Sequence, residues 1–94
     1  MGWTVILEDE NRLAKSSISH EFDTGLKNEL NGLKLLHYLD PYGDAIFNRL
    51  QMDDLIMDLQ KLRLLEANPL LDEIEALAQR CKKESHLYLV FYGD

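Results

Sequence analysis

The stretch His86–Tyr92, with the sequence HLYLVFY, decides the fold of this chain. It is rich in aromatic and β-branched side chains, the charged run Lys82–Ser85 precedes it, and Gly93 follows it. A segment of this composition predicts a β-strand. Neither of its two alternating sets of side chains is clearly polar. The pattern therefore favours a strand inside a sheet, with at least part of its second face covered.

Composition limits the classes of protein to which the chain can belong. Its 94 residues are 46% hydrophobic, which indicates a single globular domain over residues 1–94. Ten Lys and Arg residues against seventeen Asp and Glu residues give a net charge of −7. This balance argues against nucleic acid, whose phosphates require basic patches, and against anionic membrane surfaces. It is compatible with a basic protein partner.

A reducing, cytoplasmic setting is expected from the cysteine content and the N-terminal sequence. Cys81 is the only cysteine, so it has no partner for an internal disulfide, and no Cys/His spacing suggests a zinc site. The first residues, MGWTVILEDE, contain no basic segment, and their apolar run is too short for a signal peptide. The sequence also lacks a run of about 18 apolar residues that would predict a membrane span.

The N-terminal part of the chain predicts a β-hairpin. Trp3–Glu8 alternates between two faces, as a strand does. The polar cluster Asp9–Asn11 interrupts this pattern, and Asn11 is suited to a left-handed turn position. A second extended segment lies within Arg12–His20. Its serines and Lys15 suit the edge of a sheet.

Apolar residues with helical spacing predict three helices after the hairpin. Asp23 or Thr24 can cap the first, and Asn68 followed by Pro69 marks the start of the third. The predicted helices run from that first cap to about Leu39, from about Gln51 to Leu65, and from Pro69 to about Lys83.

The segment between the first two helices contains the loop Asp40-Pro41-Tyr42-Gly43-Asp44. Pro41 restricts the residue before it and Gly43 supplies a turn, so the first helix is expected to end there. Ala45–Leu50 is apolar with an interruption at Asn48-Arg49. This short run predicts a helical or irregular connector.

The predicted order of elements is therefore β-β-α-α-α-β. A last strand that returns after three helices most simply joins the hairpin, which gives an α+β fold with a three-stranded, mainly antiparallel sheet and the helices on one face. Trp3–Glu8 and His86–Tyr92 are expected to be neighbours because they are the two most apolar strands.

A local excess of acidic residues indicates one candidate binding surface. Between residues 40 and 60, five aspartates stand against Arg49 alone, which leaves a local charge of −4. Such a surface beside apolar and aromatic groups can dock a basic partner and speed its association. The alternative interpretation is a solvated helix face whose acids favour the helix N-terminus.

The sheet supplies a second candidate surface. If Leu87, Leu89 and Phe91 pack under the helices, then Tyr88, Val90 and Tyr92 point away from them, alongside Ile6. An uncovered sheet face with two tyrosines is typical of a protein-binding or self-association surface. With the opposite assignment of faces, the tyrosines would border the core.

Catalytic and metal-binding interpretations have weaker support. Asp40 and Asp44, with Asp53 and Asp54 shortly after, could hold a hard cation, but the calcium-loop pattern D-x-[DN]-x-[DN]-G is absent. Capping and turn formation explain the two loop aspartates equally well. The three histidines are scattered and match no nucleophile motif. No cofactor, metal or catalytic residue is therefore predicted.

The sequence as a whole predicts a non-catalytic protein-binding domain. In its small size and strong acidity the chain resembles, in general style, small bacterial immunity proteins. This resemblance implies an inhibitor-type protein that covers a basic toxin or nuclease. Two alternatives stay open: a homodimeric structural or adaptor subunit formed through the Tyr88–Tyr92 face, and a small metal-dependent enzyme that uses Asp40, Asp44 and His37. The predicted partner-binding residues are Tyr42, Asp44, Asp53, Asp54, Asp58, Tyr88 and Tyr92.

Overall fold

The computed structural model of the chain describes residues 2–23, 30, 32–39 and 43–93. This part of the chain forms an α+β fold, as predicted, with four β-strands and two α-helices. In chain order they are β1 Trp3–Asp9, β2 Ala14–Ser17, β3 Asp44–Asn48, α1 Met52–Leu65, α2 Pro69–Lys83 and β4 Leu87–Gly93. Two short 3₁₀ helices cover Leu36–Tyr38 and Arg49–Gln51.

The four strands form one antiparallel sheet in the order β2-β1-β4-β3. The predicted contact between the first and last strands is confirmed, and so is the edge position of β2. In the centre of the sheet, Ile6 of β1 is opposite Val90 of β4, which is opposite Ile46 of β3. A β-bulge interrupts the pairing of β1 with β2 between Leu7 and Glu8.

The prediction of three strands is wrong, because Asp44–Asn48 forms β3 rather than a helical or irregular connector. Five residues are too few for strand and helix periodicity to be distinguished in the sequence. Pairing with β4 decides the outcome, since it satisfies the second edge of that strand over all of Asp44–Asn48. Phe47 then reaches the core while Ile46 faces the other way.

Leu30 is helical, but the prediction that the first helix continues to about Leu39 is wrong. Residues 24–29, 31 and 40 lie outside the described residues. From Gly32 to Leu35 the chain forms turns and bends, followed by the 3₁₀ helix Leu36–Tyr38. An α-helix needs these backbone N–H groups for bonds to carbonyls four residues earlier. Here the Asp58 carboxylate takes three of them instead, those of Lys34, Leu35 and Leu36.

The predictions for α1 and α2 are confirmed, with starts and ends within one residue. Asn68 caps α2 as expected, since its Oδ1 accepts a hydrogen bond from the Leu70 N–H at 3.0 Å and Pro69 takes the first helical position. Neither α-helix in the described part of the chain is long and apolar enough to cross a membrane.

The core lies between the two α-helices and one face of the sheet. The strand residues that contribute to it alternate along β1, β3 and β4, and the helical residues follow the predicted apolar stripes. Cys81 is fully buried there, and burial raises the pKa of its thiol. The strand side chains in the core are Trp3, Val5, Leu7, Phe47, Leu87, Leu89 and Phe91.

Candidate functional site on the outer face of the sheet

The outer face of the sheet, opposite the helices, carries the other alternating set of strand side chains. Because paired residues in a sheet share a face, the register arranges nine of them in three rows across β1, β4 and β3. Of the two face assignments that the sequence left open, the structure has the one in which Leu87, Leu89 and Phe91 enter the core and Tyr88, Val90 and Tyr92 point away from the helices. The rows are Thr4–Tyr92–Asp44, Ile6–Val90–Ile46 and Glu8–Tyr88–Asn48.

The middle row, Ile6–Val90–Ile46, is called the apolar row from here on. Val90 is fully buried but does not belong to the core under the helices, so other outer-face groups must cover it. Tyr92 is opposite Thr4, yet its hydroxyl donates to Glu8, four residues further along β1. The Tyr92 ring therefore crosses the apolar row. Ile46, at the sheet edge, remains 50% exposed.

A polar cluster of Glu8, Arg12 and Tyr92 fixes the position of that ring. Glu8 is only 4% exposed, and its Oε1 accepts a hydrogen bond from Arg12 Nε at 2.8 Å. Its Oε2 accepts a hydrogen bond from the Tyr92 hydroxyl. This hydroxyl in turn accepts a hydrogen bond from Arg12 Nη2 at 3.2 Å. The buried carboxylate is thus paired and hydrogen-bonded on both oxygens, as a carboxylate in this environment requires.

The turn between β1 and β2 brings Arg12 over the sheet. The Asp9 carboxylate accepts hydrogen bonds from the N–H groups of Asn11 at 2.8 Å and Leu13 at 3.0 Å. The left-handed position is occupied by Arg12, with φ 66°, rather than by Asn11 as expected from residue preference. The bonds that Arg12 donates to Tyr92 and Glu8 compensate for this conformation, and they raise the pKa of the guanidinium.

One of the three α1 acids assigned to the predicted docking surface does not lie on the surface. Asp58 is fully buried, so its assignment to a surface is wrong. Asp53 is exposed, but its carboxylate meets Lys82 Nζ at 2.6 Å, and Asp54 meets Lys34 Nζ at 3.6 Å. α1 also packs on the opposite side of the sheet from the tyrosines. Partner binding by Asp53 and Asp54 stays a prediction.

Three of the predicted partner-binding residues are brought together on the outer face. Asp44 is exposed in the same row as Tyr92, and Tyr88 is half-buried in the row of Glu8. Tyr42 lies outside the described residues. Ile6 and Val90 had been considered for this face, but the contributions of Glu8, Arg12 and Ile46 were not predicted, because they depend on contacts between segments that are distant in sequence.

The metal interpretation finds no additional support in residues 2–23, 30, 32–39 and 43–93. These residues contain no group of three or more His, Cys, Asp and Glu side chains that could hold a metal ion. Asp40 lies outside the described residues. His37 shares a hydrogen bond of 2.6 Å with the Leu33 carbonyl oxygen through Nδ1, and its ring stacks on Tyr38 at 3.9 Å between centroids.

A pocket of about 210 Å³ continues the outer face at one end of β3 and β4. Tyr88 and Asn48 belong both to the last row of the outer face and to the wall of this pocket. Its volume is below the ~300–1,000 Å³ typical of small-molecule sites, so it fits a protein side chain better than a cofactor. The remaining lining residues are Arg49, Leu50, His86 and Leu87.

The pH dependence of stability tests the bond between Tyr92 and Glu8. This bond uses the protonated hydroxyl and therefore raises the pKa of Tyr92 above its ordinary value of about 10. The contribution is fully present below the pKa of the unfolded chain and is lost as pH rises through the folded pKa. We expect Tyr92→Phe to cost about 0.5–1.5 kcal/mol at neutral pH, a difference that shrinks above about pH 10.

Urea unfolding of wild type and Tyr92→Phe over this pH range measures the difference. Tyr88→Phe, which leaves the Tyr92–Glu8 bond in place, is the matched control and should show no such convergence. A Tyr92→Phe difference that stays constant up to the alkaline limit would contradict the assigned bond.

The outer face combines two tyrosine rings, an apolar row, an internally paired ion cluster and an adjoining pocket. Tyrosine and apolar side chains of this kind are enriched in protein interfaces. The charge of Glu8 on this face is balanced by Arg12. Comparison of the chain with protein-family models, curated proteins and solved structures gives no match.

Proposed function

We propose that this chain is a non-catalytic protein-binding domain whose partner docks on the outer face of the sheet. The observation that carries the proposal is the apolar row lying between Tyr88 and Tyr92, on the side opposite both α-helices. Ile46, which is 50% exposed, and the two partly exposed tyrosines are held on the sheet, so they lose little conformational entropy on binding. They therefore supply binding energy efficiently.

The partner that fits this surface is a basic protein. The chain carries a net charge of −7, which raises the association rate of a positively charged protein. On the outer face Glu8 is neutralised by Arg12, while Asp44 is exposed and offers its carboxylate to an incoming cation. An inhibitor of the immunity type in the bacterial cytoplasm, which covers a basic toxin or nuclease, is the concrete form of this proposal.

The pocket at the end of the outer face provides specificity for the partner. A partner side chain that enters between Tyr88 and Leu50 would be desolvated there, and residues buried in this way dominate the energy of an interface. Leu50 is 83% exposed in the free chain, so covering it also contributes apolar area.

Site-specific photo-crosslinking in the native cell tests the proposal. We expect a photoreactive phenylalanine at position 88 to capture a basic protein that the same probe at position 38 does not. Tyr38 is the matched control, because it is an exposed tyrosine, 64% accessible, in the 3₁₀ helix Leu36–Tyr38 that α1 holds through Asp58.

A second comparison uses the same two positions. Tyr88→Lys should weaken binding of the captured protein at least about tenfold, because it removes an interface tyrosine and adds charge repulsion. Tyr38→Lys makes the same change in composition and net charge and should leave binding unaltered. Identical capture from both positions, or no capture from position 88, would contradict the proposed docking face.

A further inference from the structure

Within the described residues no strand pairs with the outer edge of β3, which is formed by backbone groups that point away from β4. The Gly93 N–H donates to the Gly43 carbonyl oxygen at 3.0 Å, so these two residues form a hydrogen-bonded pair of the antiparallel ladder. Bonded and non-bonded pairs alternate, which makes Ala45 and Phe47 the β3 residues that bond to β4. The N–H and C=O groups directed towards the edge are those of Asp44, Ile46 and Asn48.

The two edges of the sheet differ in how they are protected. β2 has four residues, carries Lys15, and pairs with β1 through a bulge, all of which discourage a further strand from pairing there. β3 keeps a regular register over its five pairs and contains neither Lys, Arg nor Pro. Its central residue, Ile46, is 50% exposed. A regular, apolar, exposed edge is a template for another strand.

We propose that a second copy of this chain occupies the edge, with the two β3 strands antiparallel about a two-fold axis between the two Ile46 residues. In this register each Ile46 N–H donates to the Ile46 carbonyl oxygen of the other copy. Each Asp44 N–H donates to the Asn48 carbonyl oxygen of the other copy. The Asn48 N–H takes no part, because it already donates to Gln51 Oε1 at 2.9 Å. The two sheets become one continuous sheet.

The side chains of β3 are self-complementary in this register. Ile46 meets its own copy, which extends the apolar row across both sheets. Asp44 lies opposite Asn48, whose Oδ1 accepts from the Leu50 N–H at 3.0 Å and whose amide NH₂ is placed to donate to the Asp44 carboxylate. Centring the axis on Asp44 instead would oppose two carboxylates, which is destabilising.

Salt dependence distinguishes this dimer from binding of a basic partner. Each copy has a net charge of −7, so repulsion between copies opposes pairing, and added salt screens that repulsion. The dimer therefore tightens as salt rises, whereas a complex with a basic protein weakens. The dimer does not rest on the proposed function, and either can fail without the other.

Sedimentation velocity over a concentration series, at about 50 mM and about 500 mM NaCl, tests the dimer. Two short paired edges bury less than the ~1,200 Å² of a stable interface, so we expect a Kd between about 10 µM and 1 mM. The mass should rise from 10.9 kDa towards twice that value, at lower protein concentration in the higher salt. A chain that stays at 10.9 kDa up to about 1 mM at both salt concentrations would overturn the proposal.

Two lysine substitutions in the same row of the outer face locate the interface. Ile46→Lys places two cations next to each other at the axis and should abolish self-association. Ser17→Lys is the matched control, because Ser17 is exposed, pairs with Ile6 and lies on the opposite edge. It should leave the dimer intact. Loss of the dimer in both variants, or in neither, would overturn the assignment to β3.

A swap of two residues tests the register. Asn48→Asp retains a good N-cap but opposes Asp44 of the other copy at two places, so we expect about tenfold weaker pairing. Adding Asp44→Asn to this variant restores one carboxylate and one amide at each place and should recover the wild-type affinity. Amide exchange at Ile46 should slow with concentration, while that at Ala45 should not. A double variant as weak as Asn48→Asp would overturn the proposed pairing.

Discussion

Replacing Asp58 by alanine is expected to lower the free energy of unfolding by about 3–5 kcal/mol. The carboxylate is fully buried and accepts three backbone hydrogen bonds, from Lys34 at 3.1 Å, Leu35 at 2.7 Å and Leu36 at 3.2 Å. Alanine leaves these donors without an acceptor in an apolar environment, and each unsatisfied group costs about 1–3 kcal/mol. It also releases the segment that places Leu35 and Leu36 in the core.

Urea unfolding measures this loss, with Asp54→Ala as the matched control. Asp54 lies one turn earlier on α1, about half exposed, and its contact with Lys34 Nζ is a long 3.6 Å. A surface ion pair of this kind contributes at most about 1 kcal/mol. Asp58→Asn should fall between the two, because an amide oxygen has two lone pairs for three donors. Equal losses for Asp58→Ala and Asp54→Ala would show that the three bonds do not hold this segment in solution.

The sequence indicates that Asp58 is buried, but it does not indicate which groups donate hydrogen bonds to it. Its spacing from Leu55 and Leu62 places it on the apolar stripe of α1, and a charged residue in such a stripe indicates a buried, hydrogen-bonded group. The donors it serves lie more than twenty residues earlier in the chain. No local pattern connects them, so the acid was assigned to the surface and the segment to a helix.

Strands and helices differ in how well local patterns predicted them. The ends of α1 and α2 follow from caps, proline and dipole-matched charges, all of which act within a few residues. β1 and β4 follow from their length and alternation. β3 owes its form to the unsatisfied edge of β4, which lies about forty residues later, so its five residues contain too little information alone.

The candidate site shows the same difference between features set by local sequence and features set by distant strands. Alternation along His86–Tyr92 correctly divided the side chains into two sets, but it left open which set enters the core. The cluster of Glu8, Arg12 and Tyr92 joins residues 84 positions apart and needs the antiparallel register of β1 and β4. Before that register is known, Glu8 is one acid among seventeen Asp and Glu residues, and nothing distinguishes it from a solvated side chain.

The second large effect is expected in β4 itself, where the two faces can be compared on one strand. Phe91 is fully buried, is opposite Val5 and Ala45 in the sheet, and meets the Phe47 ring edge-on at 5.7 Å between centroids. Phe91→Ala removes this ring from the core and leaves a cavity. We expect a loss of about 3–5 kcal/mol in the free energy of unfolding.

Tyr88→Ala, three residues earlier on the outer face, is the matched control and should cost less than about 1.5 kcal/mol, because its ring is only partly buried and lies outside the core. Urea unfolding of both variants gives the comparison directly. A protein that docks partners on the outer face must keep that face separate from the core, so that binding residues can change without unfolding the chain. If Tyr88→Ala lowers the free energy of unfolding as much as Phe91→Ala does, the tyrosine belongs to the core. That result would contradict the proposal that the outer face is a docking surface.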